Sequence, residues 1–193
     1  MRHARPSMYF CCFSDRWIAA LRFAARPLLL AAVLLSLPAG GEVRAASADL
    51  PAPSGRVILT VSGDLAVTNG DGEASFDRDM LQDVGWRQVD SYTPWTEGLQ
   101  QFEGVPLQLL IDRLGAKGEK FVARALNDYK VDMPIGDARS ADVLLALKQN
   151  GKWLSVREKG PIWIIYPHAD GPDKIPDLHA TRMIWQLRSL AVE

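Results

Sequence analysis

The sequence predicts a single α+β domain dominated by a mixed β-sheet with a few short helices. Seven short runs are rich in β-branched and aromatic residues, two or three segments carry helical signals, and no internal repeat or long linker divides the chain. Residues 49–193 can bury about 70% of the surface that their unfolded chain exposes, so this domain needs no disulfide or metal staple to fold.

The first 48 residues stand apart. Arg2, Arg5, Arg16, Arg22 and Arg26 precede an apolar run over 28–37, followed by Pro38-Ala39-Gly40-Gly41 and the small-residue site Ala46-Ser47-Ala48. This is the layout of a cleaved signal peptide, with Met8 as an alternative start, and it predicts a periplasmic mature protein. The apolar run is about half of the roughly 20 residues that a membrane-crossing helix needs, which argues against a permanent anchor. No two arginines are consecutive, which favours the general secretory route over export in the folded state. Cys11 and Cys12, the only cysteines, both lie in this leader. Residues 49–193 therefore hold no disulfide, no cysteine nucleophile and no thiolate ligand for a metal.

Within the domain, Val57-Ile58-Leu59-Thr60-Val61 reads as a strand closed by Gly63-Asp64. Asn69-Gly70-Asp71-Gly72 is a tight turn. A calcium loop would need glycine where Ala74 stands and glutamate where Met80 stands. Ser75 is placed to cap a helix through Val84, with Phe76, Met80, Leu81 and Val84 on one face and Gly85 as its stop. Residues 86–92 alternate as a strand. A second helix starts at Pro106, places Leu107, Leu110, Ile111 and Leu114 at i, i+3, i+4 and i+7, and stops at Gly115. Strands follow over 121–125, 129–133 and 143–148, and over the apolar 162–166 between Pro161 and Pro167, which reads as a central strand. Residues 183–192 alternate as a final strand, with a helix as the other reading.

The whole chain carries 22 Lys+Arg and 23 Asp+Glu, but residues 49–193 carry 16 and 21, a net of -5. Such a balance gives no basic surface for nucleic acid. There is no Gly-x-Ser-x-Gly elbow, no Gly-Lys-Ser/Thr phosphate loop and no Gly-x-Gly-x-x-Gly after a strand, so standard hydrolase, kinase and dinucleotide chemistries lack their motifs. His168 and His179 lie in a stretch rich in Pro, Asp and Gly and read as solvated loop residues, not as a metal pair. No metal ligands are assigned.

Three segments join a turn or strand end to an aromatic and a charge: 93–98 with Trp95 and Glu97, 125–129 with Asn127, Asp128 and Tyr129, and 157–163 with Trp163. A flat heteroaromatic ligand suits that set, because an indole or phenol stacks on its face while a carboxylate or amide meets its edge. The competing reading makes Trp163 and Tyr129 ordinary core aromatics.

These segments resemble the molybdopterin-binding domain of the sulfite oxidase family. The likeness is carried by Thr93-Pro94-Trp95-Thr96-Glu97-Gly98, Phe102-Glu103-Gly104-Val105-Pro106-Leu107, Ala125-Leu126-Asn127-Asp128-Tyr129, Asn150-Gly151-Lys152 and Lys159-Gly160-Pro161-Ile162-Trp163. The resemblance implies the fold of that domain and a pterin-shaped pocket. In family enzymes a cysteine near the segment matching Trp95–Glu97 holds molybdenum through its thiolate, and residues 92–98 contain none. A soft thiolate is poorly replaced by Thr96 or Glu97. The resemblance, so modified, implies a pterin ligand without molybdenum and without redox catalysis. The alternative is a molybdopterin-dependent oxidoreductase with a non-cysteine metal ligand.

The chain is most similar to the small exported, stand-alone branch of that family. Part of that branch resembles a periplasmic pterin-binding regulator that docks on the periplasmic domain of a membrane enzyme making and degrading cyclic di-GMP, with biofilm formation as the output. Under this resemblance Asp128 or Glu97 pairs with the 2-amino and ring N–H edge of the pterin. Trp95 or Trp163 stacks on its face, and Asn127 and Tyr129 complete the edge. The partners implied are a pterin and that membrane enzyme, with no nucleic acid and no membrane insertion after cleavage.

Overall fold

The computed structural model describes residues 50–193, and the signal peptide expected over 1–48, with both cysteines, lies outside the described residues. The elements run β1 (Leu59–Gly63), β2 (Glu73–Phe76), α1 (Arg78–Val84), β3 (Arg87–Ser91), β4 (Gln100–Pro106), α2 (Leu107–Leu114) and β5 (Lys120–Ala125). They continue with β6 (Lys130–Pro134), α3 (Asp137–Ser140), β7 (Leu144–Gln149), β8 (Lys152–Trp153), β9 (Trp163–Ile165), α4 (Asp177–Arg182) and β10 (Leu187–Val192). This is the α+β class with short helices, and no helix among the described residues is long and apolar enough to cross a membrane.

The strands form two sheets where the sequence suggests one. The first has the order β2-β1-β10-β5-β6 and is mixed, because β1 and β10 pair in parallel while the other neighbours are antiparallel. The second has the order β3-β4-β7-β8, with β9 also on β7, and is antiparallel throughout. The continuous apolar run of β7 follows from burial on both of its faces. Leu145 and Leu147 join the main core with β1, β5, β10 and α2, while Leu144 and Ala146 join a smaller core with Phe102, Leu154, Trp163 and Ile165.

Several elements differ from the sequence expectation. Helix α1 is capped by Asp77, not Ser75, because the Asp77 carboxylate accepts from the backbone N–H groups of Met80 (2.9 Å), Gly55 (2.8 Å) and Ser54 (2.9 Å). These N–H groups, Met80 foremost, hold its pKa below the usual carboxylate range. Ser75 sits instead in β2, paired with Thr60. Residues 163–165 form an edge strand on β7, not a central one. Their outer side is covered by the segment leading into β10 and by its first residue, through Ile164 N–H to Ile184 C=O (2.9 Å) and Leu187 N–H to Ile162 C=O (3.0 Å). Pro106 ends β4, and α2 begins at the next residue and closes at Gly115 in the left-handed region (φ 58°).

Candidate functional site

Three chain segments, each shaped by its own turn chemistry, converge beside the smaller core. The first is the connection between β5 and β6. Asp128 N–H donates to Ala125 C=O (3.1 Å), Ala125 N–H donates to Tyr129 C=O (2.9 Å), and Tyr129 N–H donates to the Asn127 side-chain Oδ1 (3.2 Å). Asp128 takes φ 64°, a left-handed position that Asp tolerates better than most residues. The turn thus fixes Asn127 and Tyr129 on one side of the hairpin.

The second segment is the turn 93–96. Thr96 N–H reaches Thr93 C=O (3.4 Å), Trp95 N–H reaches Thr93 Oγ1 (3.3 Å), and the two threonine hydroxyls lie 2.8 Å apart. Pro94 occupies the second position of this turn, where its fixed φ is preorganised. The turn is anchored from below by Tyr92 N–H to His168 C=O (2.8 Å) and His168 N–H to Ser91 Oγ (2.9 Å). Trp95 is left 39% exposed.

The third segment runs from α4 into β10. Met183 N–H bonds back to His179 and Ala180 carbonyls, Ile184 N–H to Arg182 C=O (2.8 Å), and Gln186 turns in the left-handed region (φ 54°). That irregular path swings Trp185 against Trp95, edge to face with centroids 5.1 Å apart.

Together these segments enclose a cavity of about 380 Å³ lined by Trp95, Ala125, Asn127, Tyr129, Met183 and Trp185, with Ala180, Thr181 and Ile184 completing the wall. Its size falls in the range of small-molecule sites. Every lining residue is uncharged. The amide NH2 of Asn127 has no partner among the described residues and is free to donate. The arrangement can stack a flat neutral ring against indole and phenol and hold its edge by an amide.

Of the residues singled out from sequence, Trp95, Asn127 and Tyr129 are brought together in this cavity. Trp163 is fully buried behind it: its Nε1 donates to Met183 C=O (3.0 Å), and its ring lies 6.2 Å from Trp95 and 6.5 Å from Trp185. It supports the stacking residues and does not line the cavity. Glu97 is exposed in the turn after Trp95, and Asp128 is ion-paired with Arg124 (3.4 Å); neither belongs to the lining. Sequence reasoning passed over Trp185 and Met183, which sit in a stretch whose alternation reads as strand.

The two histidines are not solvated loop residues. Both are half-buried, with His168 Nε2 2.9 Å from His179 Nδ1, and His179 stacks 4.4 Å from the Tyr166 ring. Burial lowers both pKa values below the usual histidine range. Beneath them the Asp137 carboxylate accepts from Tyr166 Oη–H (2.7 Å) and Arg182 Nη1 (2.7 Å), a largely buried cluster that ties α3, the residue after β9 and α4 together. Burial, then Asp137, pushes the Tyr166 phenol above its ordinary range.

A mixed-sheet α+β architecture with an indole-walled, uncharged cavity defines a domain whose site chemistry suits a flat heteroaromatic ring. Residues 75–175 match the family of the oxidoreductase molybdopterin binding domain, and the protein belongs to that family. No curated protein matches the chain. The matched span runs from the end of β2 through β9 and contains Trp95, Asn127 and Tyr129. A molybdopterin-binding domain supports binding of a pterin in general. The residues about Trp95 fit the ring of such a ligand and do not fit its metal. The donors at the turn are the Thr93 and Thr96 hydroxyls, which are hydrogen-bonded to each other. Among the described residues there is no cysteine and no group of three or more His, Cys, Asp or Glu able to hold a metal ion.

Proposed function

We propose that this protein is an exported pterin binder without molybdenum redox catalysis, a ligand-gated regulator that docks on the periplasmic domain of a membrane enzyme making and degrading cyclic di-GMP. The observation that carries the pterin part is the uncharged cavity between Trp95, Tyr129 and Trp185, with the unpaired Asn127 amide on its wall. Two indoles and a phenol supply stacking area at low entropic cost, and the amide supplies direction. The lack of any cysteine thiolate in residues 49–193 supports a pterin held for binding and not for metal chemistry. The leader over 1–48 supports export, and the resemblance to the stand-alone branch supports the docking role.

The test is to purify the secreted form from a native-like host, denature it, and analyse the released material by fluorescence, mass spectrometry and metal analysis. The expected result is stoichiometric pterin without molybdenum. Stoichiometric molybdenum overturns the regulator in favour of an oxidoreductase with a non-cysteine ligand. Neither pterin nor metal leaves a protein-docking domain with no small ligand.

A further inference from the structure

We propose that a second face of the domain, centred on Trp86, Trp153 and Arg78, is the surface on which an acidic segment of a partner protein docks. The proposal deepens the docking part of the regulator reading and rests on it for the existence of a protein partner.

Trp86 precedes β3 and Trp153 closes β8; both indoles are 37% exposed, with ring centroids 5.9 Å apart. They are held in place before any partner arrives. Glu103 Oε2 accepts from Trp86 Nε1 (3.3 Å) and pairs with Lys148 (3.5 Å), whose ammonium lies 4.7 Å from the Trp153 ring centre and 5.5 Å from that of Trp86. The Arg78 guanidinium lies 4.4 Å over the other part of the patch, the Trp153 ring, and has no carboxylate partner among the described residues. A stacked guanidinium keeps its in-plane N–H groups for a carboxylate, which it can bind bidentately with little further loss of freedom.

Two grooves flank residues 153–159. One, of about 400 Å³, has Val57, Leu126 and Val156 among apolar lining residues beside Arg56 and Arg78. The other, of about 440 Å³, carries Lys152, Arg157 and Lys159. None of these five cations has an ion-pair partner among the described residues. The acids nearby keep their charge but are turned to other groups: Asp77 caps α1, Glu103 serves Lys148 and Trp86, Glu158 accepts from Ser155, and Asp79 accepts from Gln82. With Lys148 counted, six cations stand against these four carboxylates, a positive excess on one face of a domain whose residues 49–193 carry a net of -5. Exposed Trp and Arg around apolar grooves are the composition of an interface centre, and the charge selects an acidic occupant with apolar side chains. The β5–β6 turn lies between the two sites, with Leu126 on the groove and Ala125 and Asn127 on the cavity.

The experiment uses the full mature protein with its pterin content measured, and two synthetic peptides: one alternating Glu with Phe and Leu, and one with Lys in place of each Glu. Binding is followed by the indole N–H resonances. The acidic peptide is expected to shift Trp86 and Trp153 and not Trp185, to weaken with added salt, and to bind about tenfold more weakly to Arg78→Glu/Lys152→Glu. The variant should keep its melting temperature and its pterin. Should that variant lose its fold, Arg157→Glu/Lys159→Glu gives the same test on the opposite side of Trp153. Equal binding of the basic peptide, absence of shifts at Trp86 and Trp153, or preference of this face for anionic vesicles, for DNA or for a second copy overturns the proposal. Pterin without peptide binding defeats the docking face alone. Peptide binding by a protein that carries no pterin defeats the regulator's ligand and leaves the face standing.

Discussion

His168 Nε2 lies 2.9 Å from His179 Nδ1, so the chain leaving β9 is fastened to α4 by a hydrogen bond between two imidazoles. The bond needs one donor and one acceptor, and it is lost when both rings are protonated. Helix α4 carries Ala180 and Thr181 of the cavity wall and leads directly into Met183. The pair therefore holds the helix that forms one side of the cavity.

Both histidines are held below their ordinary pKa, chiefly by burial, with His179 adding to the effect on His168. The unfolded chain takes up protons near the ordinary value of about 6.5, while the folded chain resists until lower pH. Over that window the unfolded state binds more protons, so stability is full above about pH 6.5 and falls as pH drops toward the folded pKa. Melting temperature measured from about pH 7.5 to 5 should decline, and His168→Gln should flatten the decline. An identical slope in that variant would remove the pair from the explanation.

Trp95 and Trp185 form the exposed part of an aromatic cluster whose base is the buried Trp163. Trp95→Ala should weaken pterin binding by about 1–3 kcal/mol, the scale of stacking a heterocycle on one aromatic ring. Trp163→Ala should act differently, lowering stability by about 3–5 kcal/mol because it empties a filled core. Calorimetric titration and thermal melting of the two variants separate these effects. A Trp95 variant that binds normally places the ligand elsewhere.

Much of this architecture is legible in the sequence, and the misses share a cause. Helix α2 and strands β5, β6 and β7 announce themselves because local periodicity and burial agree. Strand β4 does not, since Gln100-Gln101-Phe102-Glu103-Gly104-Val105-Pro106 mixes polar residues with Gly and Pro and becomes a strand through pairing with β3 and β7 on either side. Asp77 displaces Ser75 as the cap because residues 54 and 55, distant in sequence, bring two further N–H groups to its carboxylate. Trp185 is hidden for the same reason. Only the left-handed turn at Gln186 and the carbonyl of Met183, which takes the Trp163 N–H, show why the chain leaves strand geometry there.

Asn127 and Asp128 are neighbours with separable duties. Asn127 presents an amide at the cavity, while the exposed Asp128 occupies the left-handed position and pairs with the half-buried Arg124. Asn127→Leu should cost about 0.5–1.5 kcal/mol of pterin affinity through one lost hydrogen bond. Asp128→Gly should leave affinity and stability near those of the parent, and Asp128→Ala should lose about 1 kcal/mol of stability from backbone strain. A large loss of affinity in Asp128→Gly, measured by titration, would return the carboxylate to the ligand edge.

Gly104 lies in the Phe102–Leu107 run by which the sequence resembles its family, and its role there is one of spacing. A methyl group at its Cα would stand 2.0 Å from the Leu145 carbonyl oxygen and 2.8 Å from the Ala146 Cα, both backbone atoms of β7. The register shift between Glu103 and Gly104 brings the two strands to this approach. Backbone cannot rotate out of the way as a side chain can, so Gly104→Ala must part β4 from β7, on which Phe102 and Leu144 of the smaller core are mounted. The cost should reach or exceed the upper end of the roughly 1–3 kcal/mol typical of overpacking. Gly70→Ala is the control: it sits in a surface turn where the nearest atom would be 3.7 Å away, and it should change stability by no more than about 0.5 kcal/mol. Thermal melting of the two variants side by side tests the argument, and equal melting temperatures would show that β4 and β7 have room to spare.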